Sequence, residues 1–256
     1  MIKECFLTNN PCYQSGRKIK VKGLMLHSVG VPQPNADVFV KSWNKDVGAC
    51  VHAFIDGITG DVYQTLPWEH RGWHCGDAAN NTHIGVEMCE PDCITYTGGA
   101  NFTCSDFTRA EKIAHNTYTS AVKLFAYLCK KYNLNPLTDI ISHNEGYNLG
   151  IASGHADPEH LWRGLGLNLT MNGFRKDVQA IMLNGDKKPS ETKFEPYKVL
   201  VTASALNVRS GAGISYPIMM QVHRNDVYTI VNELNGWGKL KSGAGWICLA
   251  GYTKKL

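Results

Sequence analysis

The sequence predicts two domains: an α/β domain with a mixed central sheet flanked by helices, and a small all-β barrel at the C-terminus. Three observations lead to this prediction. Before residue 184, short β-branched runs alternate with helical patterns, whereas after residue 197 short strand-like segments are punctuated by Gly and Asn. A polar stretch with two prolines, residues 184–197, separates these regions and is typical of a linker. We therefore expect domains at 1–183 and 198–256.

Apolar runs predict five buried strands in the first domain. They lie at 21–26, 51–55, 62–66, 84–88 and 140–142. The pattern from Thr108 to Glu111 resembles a capping box and predicts the start of a long amphipathic helix that ends before Pro136. Shorter helices are expected at 36–44 and 174–183. Strands interleaved with crossover helices favour a layered α/β fold.

The C-terminal segment has the sequence pattern of a small β-barrel. Short strands are predicted at 205–213, 227–232, 237–241 and 245–248. Residues 184–256 contain ten basic and five acidic residues, while the preceding part has one more acidic than basic residue. This excess suits contact with an anionic surface, and solubility alone is the alternative explanation.

Composition excludes several protein classes. The chain has 256 residues, of which 43% are hydrophobic and 19% charged, which is typical of a globular protein rather than a disordered or fibrous one. It lacks the roughly 18 consecutive apolar residues of a membrane span. Its first residues also lack the basic and apolar regions of a signal peptide, so the sequence predicts synthesis in the cytoplasm.

The cysteine count is high but odd, at nine. Because a chain of this length does not need a disulfide framework, we expect reduced thiols. Cys89, Cys93 and Cys104 suggest a structural zinc cluster as a weak alternative, since no second pair with zinc-ligand spacing accompanies them.

Two histidines follow apolar strands and indicate a metal site. His27 ends the first run, and His143 ends the run at 140–142. Asp157 follows fourteen residues later, after a loop with Gly150 and Gly154. Two imidazoles and a carboxylate form a three-ligand zinc set that leaves a fourth position for water or a substrate carbonyl, as in catalytic zinc sites.

A hydrolytic site also needs a proton carrier. Glu87 lies in the buried run at 84–88, where a carboxylate is rare unless it has a function or pairs with a cation. His155, two residues before Asp157, is a candidate donor to the developing oxyanion or an alternative metal ligand. The spacing does not separate these two roles.

These motifs together resemble the type-2 zinc N-acetylmuramoyl-L-alanine amidases, a family that includes phage endolysins, bacterial autolysins and peptidoglycan-recognition proteins. The segments that carry the resemblance are 26–28, 52–56, 73–76, 85–87, 142–145 and 155–158. The resemblance implies His27, His143 and Asp157 as ligands of one Zn²⁺ and Glu87 as the base that activates the zinc-bound water. His155 stands where many members have lysine, and Val51 where many have an aromatic residue.

Substrate contacts are expected in the segment between the third and fourth predicted strands. Trp68, Trp73, His74 and Asn81 lie there, and exposed aromatic rings stack well on sugars and peptides. The alternative for the tryptophans is a packing role in the core.

The C-terminal domain resembles a bacterial SH3-like domain through the segments 206–213, 237–240 and 245–247. In cell-wall hydrolases such domains hold the enzyme on peptidoglycan. The resemblance implies wall contacts for which Arg209, Tyr216, Trp237 and Trp246 are candidates. A packing module without a ligand is the alternative.

The sequence therefore predicts a zinc amidase that cleaves the bond between the lactyl group of N-acetylmuramic acid and L-alanine of the stem peptide. Its partner is bacterial peptidoglycan, with no nucleic acid and no membrane insertion expected. The missing signal peptide favours an endolysin that reaches the wall after membrane permeabilisation. The alternatives are an autolysin and a catalytically inactive peptidoglycan-binding protein. A zinc-dependent nucleic-acid-binding protein is disfavoured, because no recognition helix is present.

Overall fold

The computed structural model describes residues 1–184, 194–214, 216–234 and 236–256. The chain forms two compact units. Unit 1 comprises Met1–Gly164 with Leu169–Pro189, and unit 2 comprises Leu165–Asn168 with Ser190–Leu256. Most of the expected linker, residues 185–193, lies outside the described residues.

Unit 1 is built on a mixed sheet, as the sequence predicts, but the sheet has six strands rather than five because the strand at Ile2–Glu4 was not predicted. The described strands of unit 1 are β1 (Ile2–Glu4), β2 (Gly23–Ser28), β3 (Ala53–Ile55), β4 (Val62–Gln64), β5 (His83–Met88), β6 (Ile94–Gly98), β7 (Asn101–Cys104) and β8 (Ile140–Ser142). The sheet order is β1-β4-β3-β5-β2-β8, and β6 and β7 form a separate hairpin. Neighbouring strands of the sheet run parallel except for β3 and β4. The parallel strands β5, β2 and β8 therefore end at one edge.

Helices flank this sheet. They are α1 (Pro11–Ser15), α2 (Ala36–Trp43), α3 (Phe107–Tyr132), α4 (His143–Asn148), α5 (Glu159–Gly164) and α6 (Met171–Asn184). The long helix α3 begins two residues earlier than the capping-box pattern predicts. Its N-cap is Asp106, whose carboxylate accepts a hydrogen bond from the Arg109 backbone. It ends at Asn133 in a left-handed conformation, before Pro136 as expected.

The strands of the sheet have two distinct faces. Leu24 and Leu26 of β2 are fully buried on one face. Because side chains alternate along a strand, Met25 and His27 point to the other face. In the parallel register, Gly85 is the partner of Met25 and Glu87 is the partner of His27. This register places a histidine and a carboxylate side by side at the same edge.

The expectation that all thiols are reduced is wrong. Cys12 and Cys50 form a disulfide across a sequence separation of 38 residues, and the other seven cysteines are free. The chain length and the odd number of cysteines did not reveal this pair, because the two cysteines meet only when α1 packs beside the segment that leads into β3. The alternative cysteine zinc cluster is also absent among the described residues, where the one group suited to a metal consists of two histidines and an aspartate.

Unit 2 is the expected small all-β domain. Its described strands are β9 (Tyr197–Val201), β10 (Ala205–Arg209), β11 (Ile218–His223), β12 (Val227–Leu234), β13 (Trp237–Leu240), β14 (Trp246–Cys248) and β15 (Thr253–Lys255). They form one antiparallel sheet in the order β11-β10-β14-β13-β12-β9-β15. Its core contains Val199, Val208, Val222, Ile230 and Ile247. The sequence did not predict β9, β11 or β15; β11 and β15 are the edge strands.

Across the described parts of the chain, no helix combines the length and the apolar character needed to cross a membrane.

Candidate active site

Three side chains that the sequence proposed as metal ligands meet at one edge of the sheet in unit 1. His27 is the fifth residue of β2, and His143 is the first residue of α4, directly after β8. The register pairs Leu26 with Ser142, so the two histidines follow neighbouring positions on adjacent strands. Asp157 joins them from the following loop, where its backbone carbonyl accepts a hydrogen bond from the Asn144 N–H at 3.2 Å.

The ligand atoms of these residues form a compact triangle. His27 Nδ1 and His143 Nδ1 are 3.0 Å apart, and the Asp157 carboxylate oxygens lie 3.3 Å from His27 Nδ1 and 3.4 Å from His143 Nδ1. A tetrahedral site with zinc–ligand distances near 2.0–2.1 Å has ligand–ligand separations of about 3.3–3.4 Å. The donor set and its spacing therefore fit Zn²⁺.

The pKa shifts of His27 and Asp157 also suit a cation. Burial lowers the pKa of His27, which keeps the imidazole neutral. Burial alone would raise the pKa of Asp157, but its side-chain interactions with His143 and His27 outweigh burial and hold that pKa below its ordinary value. Neutral imidazoles and an ionised carboxylate are the forms that bind a metal ion.

A chain of histidines orients His27. The Nε2–H of His74 donates to the His83 carbonyl oxygen at 3.2 Å, so Nδ1 of His74 is the acceptor of a bond from His27 Nε2 at 2.9 Å. This arrangement leaves the lone pair on His27 Nδ1 for a metal. The His74 ring lies against Gly85, where an added Cβ would come within 2.5 Å of the ring. A glycine is therefore required at position 85.

Glu87 borders the same site from β5. One of its carboxylate oxygens, Oε2, is buried and has no hydrogen-bond partner within the described structure. No lysine or arginine of the described residues forms an ion pair with it, so the alternative of a structural salt bridge has no support here. Burial raises the pKa of Glu87 well above its ordinary value, and the charges of Asp157 and Glu90 raise it further. The carboxyl group is thus set up to exchange protons.

His155 is exposed at the mouth of the site. Its Nδ1 lies 3.3 Å from Nδ1 and 3.1 Å from Nε2 of His143. The group suited to a metal contains His27, His143 and Asp157 but not His155. Its position beside a ligand and open to the pocket is compatible with donation to a substrate oxygen.

The site opens into a pocket of about 690 Å³. Glu87, His155, Asp157 and Tyr147 line it, and the tip of the β6–β7 hairpin at Gly99 contributes another wall. The volume lies within the range of small-molecule binding sites.

Three hydrogen-bonded residues, Tyr96, Glu90 and His160, support the β6–β7 side of the pocket. The sequence patterns did not indicate this group. The Tyr96 hydroxyl donates to Glu90 Oε2 at 2.6 Å and lies 2.7 Å from His160 Nε2. Burial raises the pKa of Glu90 to about 7. In the sequence, the available signal was the position of Glu90, two residues beyond the end of the buried strand β5. Its partners, Tyr96 and His160, come from other segments and could not be read from that position.

Comparison with known proteins identifies the family of this chain. A family model described as N-acetylmuramoyl-L-alanine amidase matches residues 17–160. The chain belongs to this family. It is therefore an N-acetylmuramoyl-L-alanine amidase, and its substrate is peptidoglycan. A bacterial SH3 domain model matches residues 204–254. No curated protein sequence matches the chain significantly.

Solved structures share the fold of the amidase. A mutant structure of PlyL is 21% identical, with a TM-score of 0.50, and the match covers 70% of this chain and 99% of that one. The Staphylococcus aureus hydrolase AmiA in complex with its ligand is 17% identical, with a TM-score of 0.50, and the match covers 72% of this chain and 85% of that one. At these identities the likeness concerns the fold alone.

The residues expected to bind substrate lie in different environments of the amidase. Trp73 is 42% exposed, while Trp68 is only 5% exposed and packs in the interior, as the alternative explanation has it. His74 belongs to the histidine chain described above. The Asn81 side-chain oxygen accepts a hydrogen bond from Arg71 Nε at 2.7 Å, so Asn81 positions an arginine.

The four wall-contact candidates lie in unit 2. Arg209 pairs in register with Trp246, and its guanidinium donates to the Tyr216 carbonyl oxygen at 2.7 Å. Trp246 is buried, with Lys239 Nζ 5.7 Å from its ring centre, and Trp237 on β13 is partly exposed. The structure thus brings three of the candidates together.

Proposed function

We propose that this amidase is zinc-dependent and cleaves the bond between the lactyl group of N-acetylmuramic acid and L-alanine of the stem peptide. The observation that supports this most directly is the cluster of His27 Nδ1, His143 Nδ1 and the two Asp157 carboxylate oxygens, with nitrogen–nitrogen and nitrogen–oxygen separations of 3.0–3.4 Å. These three residues would hold one Zn²⁺. When bound there, zinc supplies Lewis-acid chemistry that polarises the scissile carbonyl and makes a water easier to deprotonate.

Glu87 is the proposed general base and acid. Its carboxylate takes a proton from the attacking water as the oxygen bonds to the carbonyl carbon, and it then gives that proton to the leaving nitrogen of L-alanine. The buried environment that raises its pKa makes the carboxylate a stronger base than an exposed glutamate. No other group is needed to account for the transferred proton.

His155 is the proposed donor to the oxyanion. Its side chain is exposed to the pocket and lies beside His143, from which position an N–H reaches an oxygen held at the site. This donor would act where charge develops on the former carbonyl oxygen.

For the substrate, we propose Trp73 as a contact because its ring is exposed and because it directly precedes His74, which lines the active-site pocket. His74 acts indirectly, by fixing the tautomer of His27. The burial of Trp68 and the bond between Asn81 and Arg71 support structural roles for those two residues.

We propose that the SH3 domain holds the enzyme on the wall through the surface around Arg209, Tyr216 and Trp237, beneath which Trp246 is buried. The basic excess of residues 184–256 supports attraction to an anionic wall. Tethering raises the local concentration of the amidase near its substrate. A chain that ends at residue 189 should therefore bind purified walls less tightly at low salt, and equal retention of both forms would contradict the tethering role.

The endolysin interpretation of the sequence stays a prediction. The complete set of ligands and the unpaired Glu87 oxygen support an active enzyme over an inactive recognition protein.

The test is digestion of purified peptidoglycan by metal-free and zinc-restored protein, with mass spectrometry of the products. We expect stem peptides with a new L-alanine amino terminus only when zinc is present. Glu87→Gln should retain zinc but lower turnover by about two orders of magnitude or more. Products from another bond, or full activity in the metal-free protein, would overturn the proposal.

A further inference from the structure

A second cavity, of about 330 Å³, lies on the amidase unit. We call it the arginine pocket. Its lining includes Asn10, Cys12, Arg17, Asp46, Arg71 and Trp73. None of these residues except Trp73 has a role in the function proposed above.

The walls of the arginine pocket are held rigidly. The amide nitrogen of the buried Asn10 donates to the carbonyl oxygens of Trp43, Lys45 and Ala49 at 3.0–3.1 Å, which fixes the loop on one side. The Cys12–Cys50 disulfide joins α1 to the same loop. Cys50 in turn exchanges two backbone hydrogen bonds with Trp73, at 2.9 and 3.0 Å. The cavity is therefore formed before any ligand arrives, which reduces the entropy lost on binding.

Two arginines, Arg17 and Arg71, line this cavity. The Arg71 N–H donates to the Arg17 carbonyl oxygen at 2.7 Å, so the backbones of the two residues are directly linked. Neither side chain forms an ion pair with a described residue, and Asp46, the one carboxylate in the lining, accepts a bond from the Gly48 N–H. Burial lowers the pKa of Arg71, and the charge of Arg17 lowers it further. An anion placed between them would relieve this repulsion.

The arginine pocket also offers a stacking surface. Trp73 is the exposed indole of this unit, and the Arg71 guanidinium carbon lies 4.9 Å from its ring centre. The Arg71 guanidinium also donates through Nε to the Asn81 side-chain oxygen, which fixes its orientation. An indole face packs against the apolar face of a sugar, and a fixed guanidinium binds carboxylate or phosphate through two parallel hydrogen bonds.

From these observations we propose that the arginine pocket binds an acidic saccharide, a sugar that carries a carboxylate or a phosphate group. The choice of a saccharide rests on the proposed peptidoglycan-cleaving function. Trp73 of the arginine pocket directly precedes His74, which lines the cleavage-site pocket, so one short segment contributes to both cavities. The pocket would thus select the part of the wall that the amidase acts on.

The test is titration of the full chain with three small probes: N-acetylmuramic acid, N-acetylglucosamine 1-phosphate and neutral N-acetylglucosamine. The indole N–H signal of Trp73 in a proton–nitrogen correlation spectrum, assigned by its loss in Trp73→Phe, reports binding. We expect saturable shifts with at least one acidic probe and at least about tenfold weaker binding of the neutral sugar. The response to the two acidic probes distinguishes a carboxylate from a phosphate as the recognised group.

Substitutions locate the binding site. Arg71→Gln and the exposed Arg17→Gln should each weaken the acidic probe about tenfold or more, and Arg17→Gln is the variant least able to disturb the fold. Arg109→Gln, an exposed arginine paired with Asp92 elsewhere, should leave binding unchanged. Equal affinity for the neutral sugar, or wild-type affinity in both pocket variants, would overturn the inference. So would the absence of saturable binding by either acidic probe. If the wild-type protein binds the acidic probe in an arginine-dependent way but does not cleave the amide bond of peptidoglycan, the proposed function is overturned instead.

Discussion

The Cys12–Cys50 disulfide should contribute strongly to the stability of the amidase unit. The perturbation is Cys12→Ser, which removes the crosslink while leaving the other half of the pair as a thiol. In the oxidised protein the bond joins residues separated by 38 positions and restricts the unfolded chain. Its loss should therefore destabilise the unit mainly by giving the unfolded state more conformations.

The size of this effect follows from the length of the closed loop. A loop of 38 residues corresponds to about 4 kcal/mol in the chain-entropy model. For a domain of 150–250 residues, each kcal/mol changes Tm by about 2–4 °C, so the variant should melt roughly 8–16 °C lower.

The assay is thermal unfolding with and without dithiothreitol. Reductant should lower the Tm of the wild type toward that of Cys12→Ser, which should itself be insensitive to reductant. Cys5→Ser removes a free cysteine and is the matched control, with an unchanged response to reductant. Thiol titration of the denatured, unreduced wild type should detect seven thiols of nine. Nine thiols, or equal melting in both conditions, would refute the reasoning.

Three further predictions concern the site. His74→Phe removes the acceptor for His27 Nε2–H, so zinc affinity measured by chelator competition should fall about 10–100-fold; unchanged affinity would exclude the orienting role. His155→Ala should lower kcat about 10²–10³-fold, whereas His155→Lys, which keeps a donor, should recover most of it; equal rates would argue against oxyanion contact. The raised pKa of Glu90, about 7, means that the folded state binds this proton more tightly, so its contribution to stability is full below pH 4.5 and is lost as pH rises through 7. In Glu90→Gln the free energy of unfolding should therefore fall less between pH 4.5 and 8, and an identical decline in denaturant titrations would contradict this.

Part of the fold and part of the active site could be predicted from local sequence patterns. Apolar runs predicted β2, β5 and β8, and a histidine or glutamate at a defined place in each run predicted which side chains meet. This inference works because parallel strands end at one edge and side chains alternate along a strand, so position in sequence translates directly into position in space. The long helix α3 was predicted for the same reason, but its start was not. Both Asp106 and Thr108 are good N-caps, and the choice between them depends on how the preceding hairpin delivers the chain.

The sequence by itself determined the mixed sheet, the small C-terminal β domain and the candidates His27, Glu87, His143 and Asp157. Only the tertiary structure decided which distant segments touch. The disulfide joins residues 38 positions apart, His27 reaches His74 across 47, and Tyr96 reaches His160 across 64. No helical or strand period extends over such separations, because these contacts depend on how the packed elements bring their loops together.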